Sequence, residues 1–391
     1  GPEALAPIEG GILLNMKRTR VLFLTVSLVV VMLFSGILLA SRSNQDVLFR
    51  ALGNLAEVVH LVETEYVDEL NQEALAFSLD AGLVEPLNRS AAVLPVDRIG
   101  DYLEFIESPP PYGLGLASRL GSAAVGFVFP GSPAEAAGLE FLEVIELVED
   151  VNSRGRPLWQ IRLELMDRER LGETVRLTVF DREMDERREV VLEPLEWILE
   201  AATSEVRDEA TVIQVEAVSE GAVESVVSLL PEQGPVILDL RELRWGLEAE
   251  TIELADSFVS SGRLGQWEGR KAGSKTYEAS QEVATETLPM VLVGRHTAGV
   301  GEILAAALQG AGAVVVGNPT VGYAPYMSLV QDGDVAIWMP VGLWLRPDDE
   351  TINGKGIEPD EVVEGIDPDA EGDPVLERAL EILVQGLEKA A

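Results

Sequence analysis

The stretch Val291–Tyr323, VLVGRHTAGVGEILAAALQGAGAVVVGNPTVGY, constrains the fold more than any other part of this 391-residue chain. An apolar run (Val291–Val293) leads into a turn holding Gly299 and Gly301. A helix-forming stretch (Glu302–Gln309) and a second apolar run (Val314–Val316) follow. This order spells strand, turn, helix, strand, the unit from which α/β sheets are built. The turn of such a unit lies at the carboxyl end of the sheet, where a helix N-terminus offers unpaired N–H groups.

The same residues carry a resemblance. T-A-G-V-G-E-I at Thr297–Ile303 and T-V-G-Y at Thr320–Tyr323 resemble two motifs of the carboxyl-terminal processing (tail-specific) serine proteases, S-A-S-A-S-E-I and T-F-G-K-G. In that family the middle serine is the nucleophile and the lysine its general base. The resemblance puts Gly299 at the serine, Tyr323 at the lysine, and Met327 at the glutamine that follows four residues later. The link from helix to second strand is one residue short of the family's usual length. A glycine cannot form an acyl-enzyme, and a phenol is protonated at neutral pH. Losing the nucleophile of an acyl-transfer site costs roughly six powers of ten in kcat. Thr297 beside His296 is the one nearby hydroxyl–imidazole pair, and adjacent residues at a strand end point to opposite faces. The resemblance therefore implies the family's fold with no catalytic residues, Gly299, Tyr323 and Met327 being degenerate positions.

Three further segments extend the likeness over roughly residues 52–383. V-I-L-D-L-R at Val236–Arg241 matches the strand that feeds the family's oxyanion loop, but the loop reads Glu242, Leu243, Arg244, Trp245, Gly246 and keeps only its last glycine. Vestigial oxyanion donors are thus expected at Gly246 and Val300, with Arg244 and Trp245 adding bulk. Thr251–Val259 resembles the family's next helix. N-G-K-G-I-E-P-D at Asn353–Asp360 matches its closing motif, which gives Lys355 an equivalent outside the catalytic pair. Upstream, Tyr112, Gly113, Leu114, Gly115 and Leu116 resemble the carboxylate-binding loop of a PDZ domain. V-G-F-V-F-P-G-S-P-A-E-A-A-G-L at Val125–Leu139 resembles the strand and helix that follow it. Such a loop holds a peptide carboxylate through backbone N–H groups, and the adjoining strand accepts the peptide by β-augmentation. The following turn, Phe141-Leu142, departs from the pattern, so peptide capture and simple packing both stay open.

Charge narrows the partners. Asp plus Glu number 67 against 29 Lys plus Arg, a net charge of −38, which argues against nucleic acid and against docking on anionic lipid. With no cysteine and only His60 and His296, neither disulfides, thiolate chemistry nor a histidine metal cluster is expected, and no cofactor is implied. His60 falls in a helical pattern and reads as structural. Val21–Ala40 is twenty residues without a charge, behind Lys17, Arg18 and Arg20. At about 1.5 Å per residue it spans a bilayer core of about 30 Å, and the basic residues keep the N-terminus inside. A retained single-pass anchor is favoured over a cleaved leader, because the run exceeds a usual h-region and lacks an A-x-A site. The expected location is the bacterial inner membrane, with the bulk of the chain on the periplasmic side. Gly1–Asn15, ahead of Met16, is either an added remnant or a cytoplasmic extension.

The expected architecture is an α/β core of the ClpP/crotonase-like protease type with an inserted mainly-β PDZ domain, an N-terminal helical region and one transmembrane helix. The boundaries are a tail at 1–20, an anchor at 21–40, helices over 44–108, the PDZ domain at 109–196, the core at 197–366, and a linker and amphipathic helix at 367–391. Within the PDZ domain, Val175–Phe180 and Glu189–Leu192 are expected strands joined by a charged loop, Arg182–Arg188. Two functions stay open: a pseudoprotease acting as a peptide-binding scaffold or subunit, beside active protease subunits or in a larger membrane complex, and an active endopeptidase with an unrecognised nucleophile.

Overall fold

A computed structural model describes residues 49–65, 79, 82, 84, 90–181, 186–285, 287–333, 335–363 and 372–390. The chain divides into two compact units, residues 1–76 and 77–391. In the first, residues 49–65 form a helix, α1, whose Leu52, Val58 and Leu61 are exposed, as is His60. The expected anchor at 21–40 lies outside the described residues. Among the described residues no helix is long and apolar enough to cross a membrane.

The second unit contains three sheets. Its chain starts with β1 (Ala92–Leu94) and α2 (Ile99–Glu107). An antiparallel unit follows: β2 (Leu114–Arg119), β3 (Ser122–Val128), α3 (Pro133–Ala136), β4 (Val144–Val148), β5 (Val151–Asn152), α4 (Leu158–Arg170), β6 (Val175–Asp181) and β7 (Glu186–Leu192). Its sheet runs β2-β3-β4-β6-β7, with β5 on β4, and β2 forms one edge. Alternation along β6 sends Val175, Leu177 and Val179 inward, where they meet Ile161 and Leu165 of α4.

The remaining elements build the core: β8 (Ala202–Arg207), β9 (Ala210–Val215), α5 (Ala222–Ser228), β10 (Val236–Asp239), α6 (Glu248–Asp256), β11 (Arg263–Gly269), β12 (Gly273–Glu278), β13 (Met290–Val293), α7 (Val300–Gly310), β14 (Val315–Gly317), β15 (Pro325–Asp332), β16 (Val335–Leu345), β17 (Glu361–Val362) and α8 (Pro374–Ala390). The sheet β17-β14-β13-β10-β9-β8 is parallel except at β8. Its strands read as continuous apolar runs because both faces are covered. Leu238, Val291, Val293 and Val315 face the cluster that takes in Leu254 of α6 and Leu304 of α7. Ile237, Leu292 and Val316 face the opposite cluster, with Val375 and Ala379 of α8. A second core sheet, β1-β16-β11-β12 with β15 also on β16, packs Trp344 and Trp267 against the first cluster.

Two expectations are corrected. The stretch 44–108 is not wholly helical, since Ala92–Leu94 pairs antiparallel with Ala336–Trp338 of β16. A short apolar run has no period of its own, and a partner more than two hundred residues away decides it. The charged stretch Arg182–Arg188 is not all loop, since β7 begins at Glu186. Arg187 lies opposite Phe180, its guanidinium 5.5 Å from that ring, and pairs with Glu146 on β4, so charge here marks the solvent face of a strand.

Candidate functional site

The expected site is a turn held from two sides. Gly299, between β13 and α7, has φ 58° and ψ −114°, which any other residue adopts only at a cost of about 1–3 kcal/mol. A sharp strand-to-helix turn of this kind is how a nucleophile is raised above a sheet. An added Cβ would have room, its nearest neighbour being the Tyr323 carbonyl oxygen at 3.9 Å. The Gly299 N–H donates to that same oxygen at 3.0 Å, so the backbones of Gly299 and Tyr323 are brought together. The Tyr323 phenol points elsewhere and donates to Ser90 Oγ at 2.7 Å. Met327 sits on β15 opposite Pro340, just past a break in strand register.

The fixing group is Glu302. It is fully buried in the first turn of α7 and accepts from the N–H groups of Gly299 (3.2 Å), Gly322 (2.6 Å) and Tyr323 (2.8 Å) and from the Thr320 hydroxyl. Thr320 Oγ1 in turn accepts the Ile357 N–H at 2.7 Å, tying in the N-G-K-G-I-E-P-D segment. An acid three residues after a helix cap is a capping signal, which makes Glu302 the one missed residue that sequence logic could have found.

The other expected groups are less convergent. Val300 opens α7 and packs partly into the core. Gly246 pairs with Val218, and the loop residue touching the turn is Leu243. Its carbonyl accepts the Ala298 N–H at 3.2 Å and would lie 2.5 Å from a Cβ on Gly301, so only glycine fits there. Thr297 is buried, with its hydroxyl donating to Leu240 O and accepting the Gly294 N–H, both at 2.9 Å. The His296 ring instead meets Glu242 at 2.8 Å. The hydroxyl and the imidazole therefore serve separate partners.

Arg244 and Trp245, the bulky loop residues, reach the antiparallel unit. Arg244 donates to Gly126 O of β3 at 2.9 Å, its guanidinium lies 5.2 Å from the Phe141 ring centre, and Phe141 packs on His296. Trp245 meets Phe129 edge-on. The two departures from the family pattern, in the oxyanion loop and in the Phe141-Leu142 turn, thus touch each other. Arg241 closes the other side. It bonds Asp239 and, across 132 residues of sequence, both carboxylate oxygens of Asp373 at 2.8 and 2.7 Å. Although burial works against them, the Arg241 bonds hold the Asp373 carboxyl below its usual range.

The expected peptide loop is occupied from within. Tyr112 N–H donates to Glu169 Oε1 of α4 at 2.6 Å, Gly113 N–H to Pro110 O at 2.9 Å, and Leu114 N–H to Pro111 O. Burial raises the Glu169 carboxyl's pKa, against bonds from Tyr112 and Trp197 that lower it. The Tyr112 hydroxyl bonds Glu173 O, and burial pushes this phenol up to about 12. Gly115 lies against the Phe127 ring. Leu116 is buried, and its carbonyl accepts from Arg162 of α4 at 2.9 Å.

Comparisons with known proteins agree with this frame. Residues 211–363 match the profile described as Peptidase family S41. The chain is 32% identical over 245 residues to the "Carboxyl-terminal-processing protease" of Picosynechococcus sp., covering 60% of this chain and 59% of that protein. It is 22% identical over 327 residues to the "Probable CtpA-like serine protease" of Staphylococcus aureus, covering 80% of this chain and 65% of that protein. The chain thus spans about three fifths of the length of these curated relatives. Among solved structures, the photosystem II D1 C-terminal processing protease shares the fold, with a TM-score of 0.62 at 19% identity over 84% of this chain and 90% of that one. An S41 peptidase domain and homologues among the C-terminal processing proteases together support that family for this chain.

Proposed function

We propose that this protein is a catalytically inactive S41 member, a scaffold or complex subunit held to the bacterial inner membrane by residues 21–40, with its bulk on the periplasmic side. The observation that carries the reading is the pair Gly299 and Tyr323, adjacent in space, one without a side chain and the other with its hydroxyl bonded to Ser90. A nucleophile and a base within reach of each other are what the chemistry needs, and neither is supplied. In this reading the antiparallel unit is a PDZ domain. The filling of its loop by Glu169 and of its edge strand by Arg162 favours packing over peptide capture. Active protease subunits or a larger membrane complex are the partners this fits.

The test is direct. The full chain in detergent, incubated with a fluorophosphonate probe and with an unstructured protein bearing an apolar C-terminus, is expected to show neither labelling nor cleavage. Labelling that a single substitution abolishes would overturn the proposal. Protease added to spheroplasts is expected to digest the chain down to a small anchored fragment, and full protection would reverse the topology.

A further inference from the structure

A cavity of about 180 Å³ is lined by α2, α4, Ser90 and Ala91 ahead of β1, and the β2–β3 turn. Ser90, Tyr102, Ser118, Arg156, Trp159 and Arg162 are among its walls. With a net charge of −38, this chain gives many of its arginines a carboxylate: Arg98, Arg168, Arg188, Arg241 and Arg378 each hold at least one. Arg162 is different. It is half-buried, and its partners are the Leu116 carbonyl and the face of Phe105, both neutral. Among the described residues its hydrogen bond goes to a backbone carbonyl and its ring contact to Phe105, with no ion pair to a carboxylate. Arg156, in the same lining, spends one terminal nitrogen on Glu164 at 2.7 Å, while its Nη1 is buried with no partner.

A guanidinium withdrawn from water without an opposite charge is unfavourable, and an unmade bond on a buried nitrogen adds to the cost. One small anion would answer both. We propose that this cavity binds a small organic carboxylate, its oxygens set between Arg162 and Arg156 Nη1 and its apolar body against Trp159. The planar fork of arginine suits a carboxylate. The volume, about six waters' worth at ~30 Å³ each, sets the size. The apolar wall separates an organic acid from an inorganic ion. Because Ser90 also receives the Tyr323 hydroxyl, such a ligand would lie one residue from the degenerate base position. Neither arginine belongs to the Gly299 turn.

Calorimetric titration of the full chain with benzoate, with inorganic phosphate and with chloride at equal ionic strength tests it. Benzoate is expected to saturate one site with a Kd of about 1 mM or tighter. Arg162→Gln is expected to weaken it about tenfold or more, as loss of a charge-assisted bond implies. Since Arg162 also steadies β2, Ser118→Leu provides a second variant that fills the cavity and leaves both arginines in place; it too should abolish binding. No saturation by benzoate, saturation by phosphate in its place, or binding unchanged in both variants would each overturn the proposal.

Discussion

The Gly299 turn and the Tyr112–Leu116 loop are two backbone cradles of the same molecule, and they differ in what fills them. Around Gly299 the turn is tightly braced: Glu302 gathers three backbone N–H groups and a hydroxyl while the position it steadies carries only hydrogen. At Tyr112 the cradle is intact and its first N–H already holds a carboxylate from α4. One carboxylate, from within the turn's own helix, braces a strand-to-helix turn, and the other, from α4, fills a loop. Buried N–H groups need acceptors whether or not a site is in use.

The comparison breaks first at Glu302. Glu302→Ala leaves several buried donors unmade and is expected to cost about 3–5 kcal/mol, read as a lower urea midpoint at unchanged slope. A loss under about 1 kcal/mol would mean that Glu302 does not hold the turn. Next is Gly301→Ala, which drives a methyl against the Leu243 carbonyl; about 1–3 kcal/mol is expected, and a neutral result would show that the loop yields freely.

Acid tests the outer brace. The folded-state pKa of Asp373 lies below its ordinary value of 3.8, so its bond to Arg241 contributes fully above that pH and is lost as pH falls through the folded value. Asp373→Asn should flatten the stability profile below about pH 4, and an unchanged acid limb would remove Asp373 from the account. The smallest effect belongs to Glu169. Its folded-state pKa is raised, so its charged form opposes folding near neutrality and that penalty fades as pH falls. Glu169→Gln keeps an acceptor for Tyr112 and is expected to stay within about 1 kcal/mol of the parent. Equal losses at Glu169 and Glu302 would erase the distinction between filling and brace.

What the sequence made legible was local. The β13–α7–β14 unit announces itself through short apolar runs around a Gly-rich turn, and strands such as Val175–Asp181 through local alternation. The sheet formed by β11, β12, β15 and β16 went unread, because strands such as Arg263–Gly269 mix charge, glycine and tryptophan and owe their pairing to segments up to about eighty residues away. Arg244 was visible as misplaced bulk, but nothing near it points to Gly126, 118 residues earlier. Arg241 stood in a recognisable motif while its second partner, Asp373, lay beyond any local pattern. Glu169 was one more acid on a charged helix until the fold brought it to Tyr112.

The backbone at Gly299 also bears on ancestry. A glycine adopts φ 58° freely, whereas any L side chain there is opposed by folding itself at about 1–3 kcal/mol. Descent from an ancestor with a serine would have relaxed the turn as it removed the reactive group, and the reverse step would lose stability before a second substitution at Tyr323 could return any benefit. Under the proposed function, a single-residue step away from a side chain at this turn gains stability and the step back loses it first, so the two directions are unequal.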